Sequence, residues 1–140
     1  MKAIGTIIIL SILTSVVNAE EHQIPTAPQE YLDMQNPIQQ SEIDEQFLKR
    51  VGRLYKRKCS KCHGKKGDGK GYHAESIEIK PAAFSNHGYM ISRKDGQLFW
   101  IMLNGSEGTE MVPVGPDSDV GLSEEKLWEL VTYIRHEFTK

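Results

Sequence analysis

The sequence is short of cysteine: it has two in 140 residues. A structural zinc site draws on four Cys or His ligands, usually in two pairs, so zinc here would have to recruit scattered histidines. Long apolar runs are also scarce, and nothing after residue 19 could span a bilayer. No strand signal of useful length appears, and the alternation of strands and helices that would frame a thiol–disulfide active site is missing. Glycines cluster between Gly64 and Gly71, but without the GxxxxGK[ST] order or a preceding strand that a phosphate loop requires. A lone Asp68 does not make a calcium loop. Acids are rare in one region only. From Lys49 to Lys70 there are ten basic residues and a single acid, Asp68, although the whole chain carries a net charge of −2.

The two cysteines stand in Cys59-Ser60-Lys61-Cys62-His63. Two cysteines three apart with a histidine directly after them form the attachment pattern of c-type haem. Each thiol can add across one vinyl group of the porphyrin, and the adjacent imidazole becomes the proximal iron ligand. One helical turn brings both sulfurs to one porphyrin edge, and the next residue can reach the metal. The expected cofactor is therefore one covalently bound haem c.

The chain opens like a secretory signal. Lys2 supplies the positive end, Ala3 to Val17 is apolar, and Val17-Asn18-Ala19 offers a cleavage site before Glu20. The run is short for a membrane span, although an uncleaved anchor is the alternative. Export to the periplasm fits covalent haem attachment, and fits a secreted disulfide protein equally well. The expected organisation is a signal peptide over 1–19, an extended arm over 20–41 and one domain over 42–140. The arm carries Pro25, Pro28 and Pro37, with Ile24, Tyr31, Leu32 and Ile38 as its few anchors. A domain of this length is marginal alone, and a large apolar cofactor would make up the deficit.

Ser41 is placed to cap a helix over about 42–58 that runs directly into the cysteine motif, with Ile43, Phe47, Val51, Leu54 and Tyr55 as its apolar stripe. Tyr72 to Ile79 reads as a short helical turn, and Pro81 to Phe84 as extended chain. Asp95 is placed to cap a buried helix over 96–104 that ends at Gly105. After a loop over 105–122, Ser123 caps a last helix whose apolar stripe includes Leu127, Val131, Ile134 and Phe138. The expected fold is small and all-α.

Opposite His63, the residues alone leave the second iron ligand open. Met34 lies in the arm and Met102 in an apolar helix, where packing roles are expected. Met111 lies in the loop Gly108-Thr109-Glu110-Met111-Val112-Pro113, from which a thioether can hang over a metal. A His/Met pair raises the potential and leaves no open position, which suits electron transfer. If Met111 only packs, then His73, His87 or His136 takes its place, or the position stays open to gas or peroxide.

From about Glu45 to Lys140 the chain resembles the class I monohaem cytochromes c of bacteria. The likeness rests on Leu54-Tyr55 ahead of CSKCHG, then GKKGDGKG, KPAAF at 80–84, DGQLFWIMLNG, GTEMVP and LSEEKLWELVTYIR, in order and spacing. It implies a cytochrome c fold of three to four helices with the first and last crossing. It also implies haem c held through Cys59 and Cys62, with His63 and Met111 axial. By the same likeness the Pro81 carbonyl accepts the proximal imidazole N–H, and Phe84, Trp100 and Tyr133 match pocket or helix-contact positions. Val51 stands where the family usually has glycine at the crossing, with Gly52 following. Val112 separates Met111 from the proline that often follows the ligand, and the 114–120 stretch is longer than usual. The expected function is a periplasmic carrier of single electrons, not an enzyme, docking on redox proteins with an acidic surface. No nucleic-acid partner is expected, nor a membrane span in the mature chain. A haem enzyme or gas sensor with a labile sixth ligand, a cytochrome subunit of a periplasmic dehydrogenase complex, and a haem-free thiol oxidoreductase are the rivals.

Overall fold

The computed structural model describes residues 24–139, so the expected signal peptide lies outside the described residues. Those residues form six helices and two 3-10 turns, with no strand among them. The helices are α1 (Gln29–Leu32), α2 (Glu45–Lys58), α3 (Ser60–His63), α4 (His87–Ile91), α5 (Asp95–Asn104) and α6 (Glu124–Phe138), and the turns are Gln40–Glu42 and Ala74–Ser76. The all-α expectation holds. The helix count exceeds three to four because α1, α3 and α4 are about one turn each, too short to show an apolar period. No described helix is long and apolar enough to cross a membrane.

α2 begins three residues later than Ser41 would have it. The Asp44 carboxylate accepts the Phe47 N–H at 2.7 Å and caps the helix, while Ser41 sits in the preceding 3-10 turn. A carboxylate at this position satisfies an orphan donor and also meets the positive end of the helix dipole. Ser123 caps α6 as expected, accepting from the Lys126 N–H at 3.4 Å. The two helices bury facing stripes: Phe47, Val51, Leu54 and Tyr55 on α2, and Leu127, Leu130, Val131 and Ile134 on α6. The close approach falls at Gly52, where a Cβ would stand 3.0 Å from the Tyr133 hydroxyl. Gly52 thus does the work of the missing crossing glycine, one position along, and Val51 is fully buried beside it. Arg50 pairs with the nearly buried Glu129 carboxylate at 2.7 Å across the same crossing.

Asp95 does not cap α5. Lys94 holds the cap position without a side-chain bond, and Asp95 is the first helical residue. Its carboxylate accepts from Arg135 Nε at 2.8 Å and from the Asn36 amide at 3.1 Å. Arg135 also donates to the carbonyls of Met90 and Arg93, so one guanidinium on α6 ties α4 to the start of α5. α5 buries Leu98, Phe99 and Met102, with Phe99 stacked on Trp128 of α6 at 4.4 Å and 11°. Trp100, Ile101 and Leu103 are only half-buried, so the helix is covered on one side rather than all round.

The arm is docked rather than merely extended. Ala27 is buried, and its N–H donates to the Gln97 side-chain carbonyl at 2.8 Å. The Gln97 amide donates in turn to the Pro25 carbonyl at 2.9 Å. Tyr31 of α1 stacks on Phe99 at 6.4 Å. Gly96 makes the approach possible, because any Cβ there would fall on the Tyr31 carbonyl. Gly96→Ala is accordingly expected to lift the arm from α5. Glutamyl endopeptidase should then cut at Glu30 at least several-fold faster than in the parent chain, read by mass spectrometry of the timed digest.

Candidate haem site

α2 ends at Cys59, whose backbone (φ −114°, ψ −38°) bends the chain before α3 starts. The motif therefore occupies its own turn and is not a straight continuation of α2. Its amides stay paired: the Cys59 N–H donates to the Tyr55 carbonyl at 2.8 Å and the His63 N–H to the Cys59 carbonyl at 3.0 Å. Both thiols are free and half-buried. The glycine-rich stretch then folds back over α3, with the Gly69 N–H on the His63 carbonyl at 2.9 Å and the Gly71 N–H on the Cys62 carbonyl at 3.0 Å. Gly64 turns it with a left-handed φ of 81°. The Tyr55 hydroxyl donates to the Gly64 carbonyl at 2.8 Å and pins this turn to the helix crossing.

His63 Nδ1 lies 3.0 Å from the Ala82 carbonyl. A carbonyl only accepts, so Nδ1 carries the proton and Nε2 keeps its lone pair. The expected acceptor, Pro81, is off by one residue. Successive carbonyls of extended chain point to opposite sides, and that of Pro81 lies over Gly69, where a Cβ would stand 2.7 Å from it. Phe84 is buried and stacks on the His63 ring at 4.5 Å and 18°, with Phe138 behind it at 6.5 Å.

Burial lowers the His63 pKa against the opposing effect of the Ala82 carbonyl, which favours the neutral imidazole a metal needs. Burial, with Cys62 beside it, pushes the Cys59 thiol up to about 12. A thiol oxidoreductase needs the opposite, an attacking cysteine of depressed pKa. Among the described residues no group of three or more His, Cys, Asp or Glu could hold a metal ion.

Met111 is half-buried in a loop fastened at several points. Its carbonyl accepts the Ser106 N–H at 2.8 Å, its N–H donates to Thr109 Oγ1 at 3.0 Å, and the Val114 N–H reaches the Met102 carbonyl at 2.9 Å. The longer 114–120 stretch is closed by the Leu122 N–H on the Val114 carbonyl at 3.1 Å. Among the described residues no hydrogen bond or ring stacking joins Met111 or the half-buried Trp100 to the His63 cluster. Of the alternative histidines, His73 and His87 are exposed, and His136 Nδ1 lies 3.1 Å from Glu137. Met90 and Met102 are core, Met90 fully buried. Sequence reasoning missed Ala82 and Phe138 as parts of the His63 surroundings. The signal for Phe138 was its place on the apolar stripe of the last helix.

The family model described as cytochrome c oxidase, cbb3-type, subunit III matches residues 46–134. The chain belongs to this family of c-type cytochromes. No curated protein sequence matches the cytochrome. Among solved structures, a chain of the Kuenenia stuttgartiensis reducing HAO-like protein complex is similar to it, with a TM-score of 0.56 and 22% identity over 84% of the present chain. The match covers 51% of that chain, so the cytochrome spans about half its length, and the likeness is one of fold. The donor set suits the family's cofactor. Two uncombined thiols one turn apart adjoin an imidazole whose tautomer leaves Nε2 free, as haem c requires.

Tyr55 is buried, and its phenol pKa is raised, first by desolvation and then by Cys59, Tyr133 and Asp68. A raised folded-state pKa stabilises the fold below the ordinary value of about 10, and that contribution is lost as pH climbs past it. Stability should therefore fall above about pH 10. Tyr55→Phe should make the alkaline loss shallower while costing about 1 kcal/mol at neutral pH, since the Gly64 carbonyl then keeps only the Gly67 N–H at 3.2 Å as its donor. Denaturant titrations across the pH range check both.

Proposed function

We propose that this chain is a periplasmic monohaem cytochrome that passes single electrons between redox proteins and transforms no substrate of its own. The observation that carries the reading is the His63 tautomer, fixed by the Ala82 carbonyl at 3.0 Å beside the paired cysteines. Cys59 and Cys62 would tether the cofactor, His63 would ligate it through Nε2, and Met111 would close the sixth position. Bound haem c supplies a one-electron ferric–ferrous couple. The chain's own part is to orient the imidazole through Ala82 and Phe84 and to keep water out with the α2–α6 core. Export on a cleaved signal over 1–19 belongs to the same proposal.

A second reading is a resident subunit of a respiratory or redox complex. It is favoured by the family description, which names an oxidase subunit, and by the structural neighbour, which comes from a multiprotein complex. Sedimentation of the natively expressed protein separates the two: a free carrier travels as a monomer, a subunit with its partners.

The spectrum of the haem-matured protein is the test of the site. The ferric form should show a far-red sulfur-to-iron band that disappears in Met111→Ala, and the reduced parent should not bind carbon monoxide at neutral pH. A spectrum indifferent to Met111, or ready carbon monoxide binding, would move the reading to a sensor or enzyme. The ten basic residues from Lys49 to Lys70 are all exposed, which supports docking on an acidic partner. Neutralising Lys61, Lys65 and Lys66 together should slow electron transfer to the native partner about tenfold or more at low salt, converging with the parent as salt rises.

A further inference from the structure

The charge around the motif is not uniform. At the start of the basic run, Arg50 is paired with Glu129 at 2.7 Å, and Lys49, Arg50 and Arg53 share one groove with Asp44, Glu125 and Glu129. Arg50 is thus answered within the chain, while Lys49 and Arg53 face those acids across the groove without an ion-pair contact. From Lys56 onward none of Lys56, Arg57, Lys58, Lys61, Lys65, Lys66 or Lys70 has an ion-pair partner among the described residues. The one acid in the region, Asp68, turns its carboxylate to the Lys70 N–H at 3.1 Å. The uncompensated charge is thus concentrated around α3.

One large side chain stands in that field. Four sizeable apolar side chains are exposed among the described residues, Met34, Tyr72, Ile91 and Val112, and Tyr72 is the most exposed at 77%. Val112 has the acid Glu110 for a neighbour, and Ile91 and Met34 lie on α4 and after α1. Tyr72 alone is attached to the motif. Gly71 before it donates to the Cys62 carbonyl at 3.0 Å, and His73 after it donates to the Lys61 carbonyl at 2.9 Å. Any Cβ at Gly71 would collide with the Lys61 carbonyl, so the backbone is seated directly on α3. The ring meets His73 edge-on at 4.7 Å and 86°. An aromatic body largely exposed and packed only edge-on against His73, on a backbone locked at both neighbours and with Lys61 and Lys70 close in the chain, has the composition of an interface anchor inside a charged rim.

We infer that Tyr72 is the anchor of a docking face whose occupant is an acidic redox protein: an apolar notch for the ring, bordered by carboxylates that meet Lys61, Lys65, Lys66 and Lys70. This rests on the electron-carrier reading above. The lysines act at long range and set how often partners meet, whereas the ring acts only on contact and sets how long they stay. The two contributions differ in salt dependence, because screening weakens the first and leaves the second.

Reduced flavodoxin, an acidic protein with an exposed apolar flavin edge, is the probe. One electron leaves the flavin hydroquinone, which becomes the semiquinone, and converts ferric to ferrous haem. With the full haem-loaded chain, Tyr72→Ala should lower the second-order rate about tenfold at low and at moderate salt alike. Tyr72→Phe should keep most of the rate, and dithionite should reduce all variants equally. Amide shifts of the labelled chain titrated with oxidised flavodoxin should centre on 61–73 and vanish in Tyr72→Ala. That binding map needs no electron transfer, so it distinguishes failure of the docking face from failure of the haem reading, which a negative haem stain would expose. A Tyr72→Ala rate equal to the parent's overturns the proposal, as do shifts centred on Val112. So does Tyr72-dependent binding to phosphatidylglycerol vesicles without any effect on flavodoxin, which would assign the face to a membrane surface.

Discussion

The hydroxyl of Tyr55 joins the two halves of this molecule. Its ring belongs to the α2–α6 crossing, 5.1 Å from Phe138 and 5.6 Å from Tyr133, while its oxygen holds the Gly64 carbonyl at 2.8 Å. That carbonyl also accepts the Gly67 N–H at 3.2 Å, and the hydroxyl adds a second bond, worth about 1 kcal/mol, that ties the motif turn to the crossing. Everything that gives the site its chemistry follows from that junction. The chain turns at Gly64, doubles back over α3, and returns at Ala82 to fix the imidazole. Phe84 and Phe138 then fill the space between the histidine and the last helix.

The second organising device is polar and sits in the same C-terminal half of α6. Arg135 meets Asp95 at 2.8 Å and the carbonyls at the end of α4, while Asn36 from the arm bridges Asp95 and Thr132. Gln97 grips the arm backbone a turn away. These groups are buried or half-buried and paired, as buried polar groups must be. They hold α5 in place, and α5 carries the loop that presents Met111. The arm is therefore part of the domain's covering and not a tether alone. Its anchoring lies on the α5 side, away from the cationic ring around the cysteines.

Charge and packing divide the surface in the same way. Where Glu129 of α6 approaches α2, Arg50 is answered within the chain. Around α3, where the cysteines lie, the cations have no ion-pair partner among the described residues.

The helical stripes of α2 and α6, the Ser123 cap and the all-α class were legible without coordinates, because each is a local pattern with one structural solution. The single-turn helices were not, since a run of four or five residues carries no period. Ser41 and Asp95 misled for a related reason: a short acceptor in a good position competes with neighbours, and Asp44 won the first cap while Arg135 captured the second side chain. Local chemistry picks out Cys59, Cys62 and His63 as the candidates for a haem. Only the folded chain decided that Ala82 rather than Pro81 faces the imidazole, and that Gly52 takes the crossing. Both choices turn on the direction of a single backbone group, and that direction is set by contacts with residues far away in the chain.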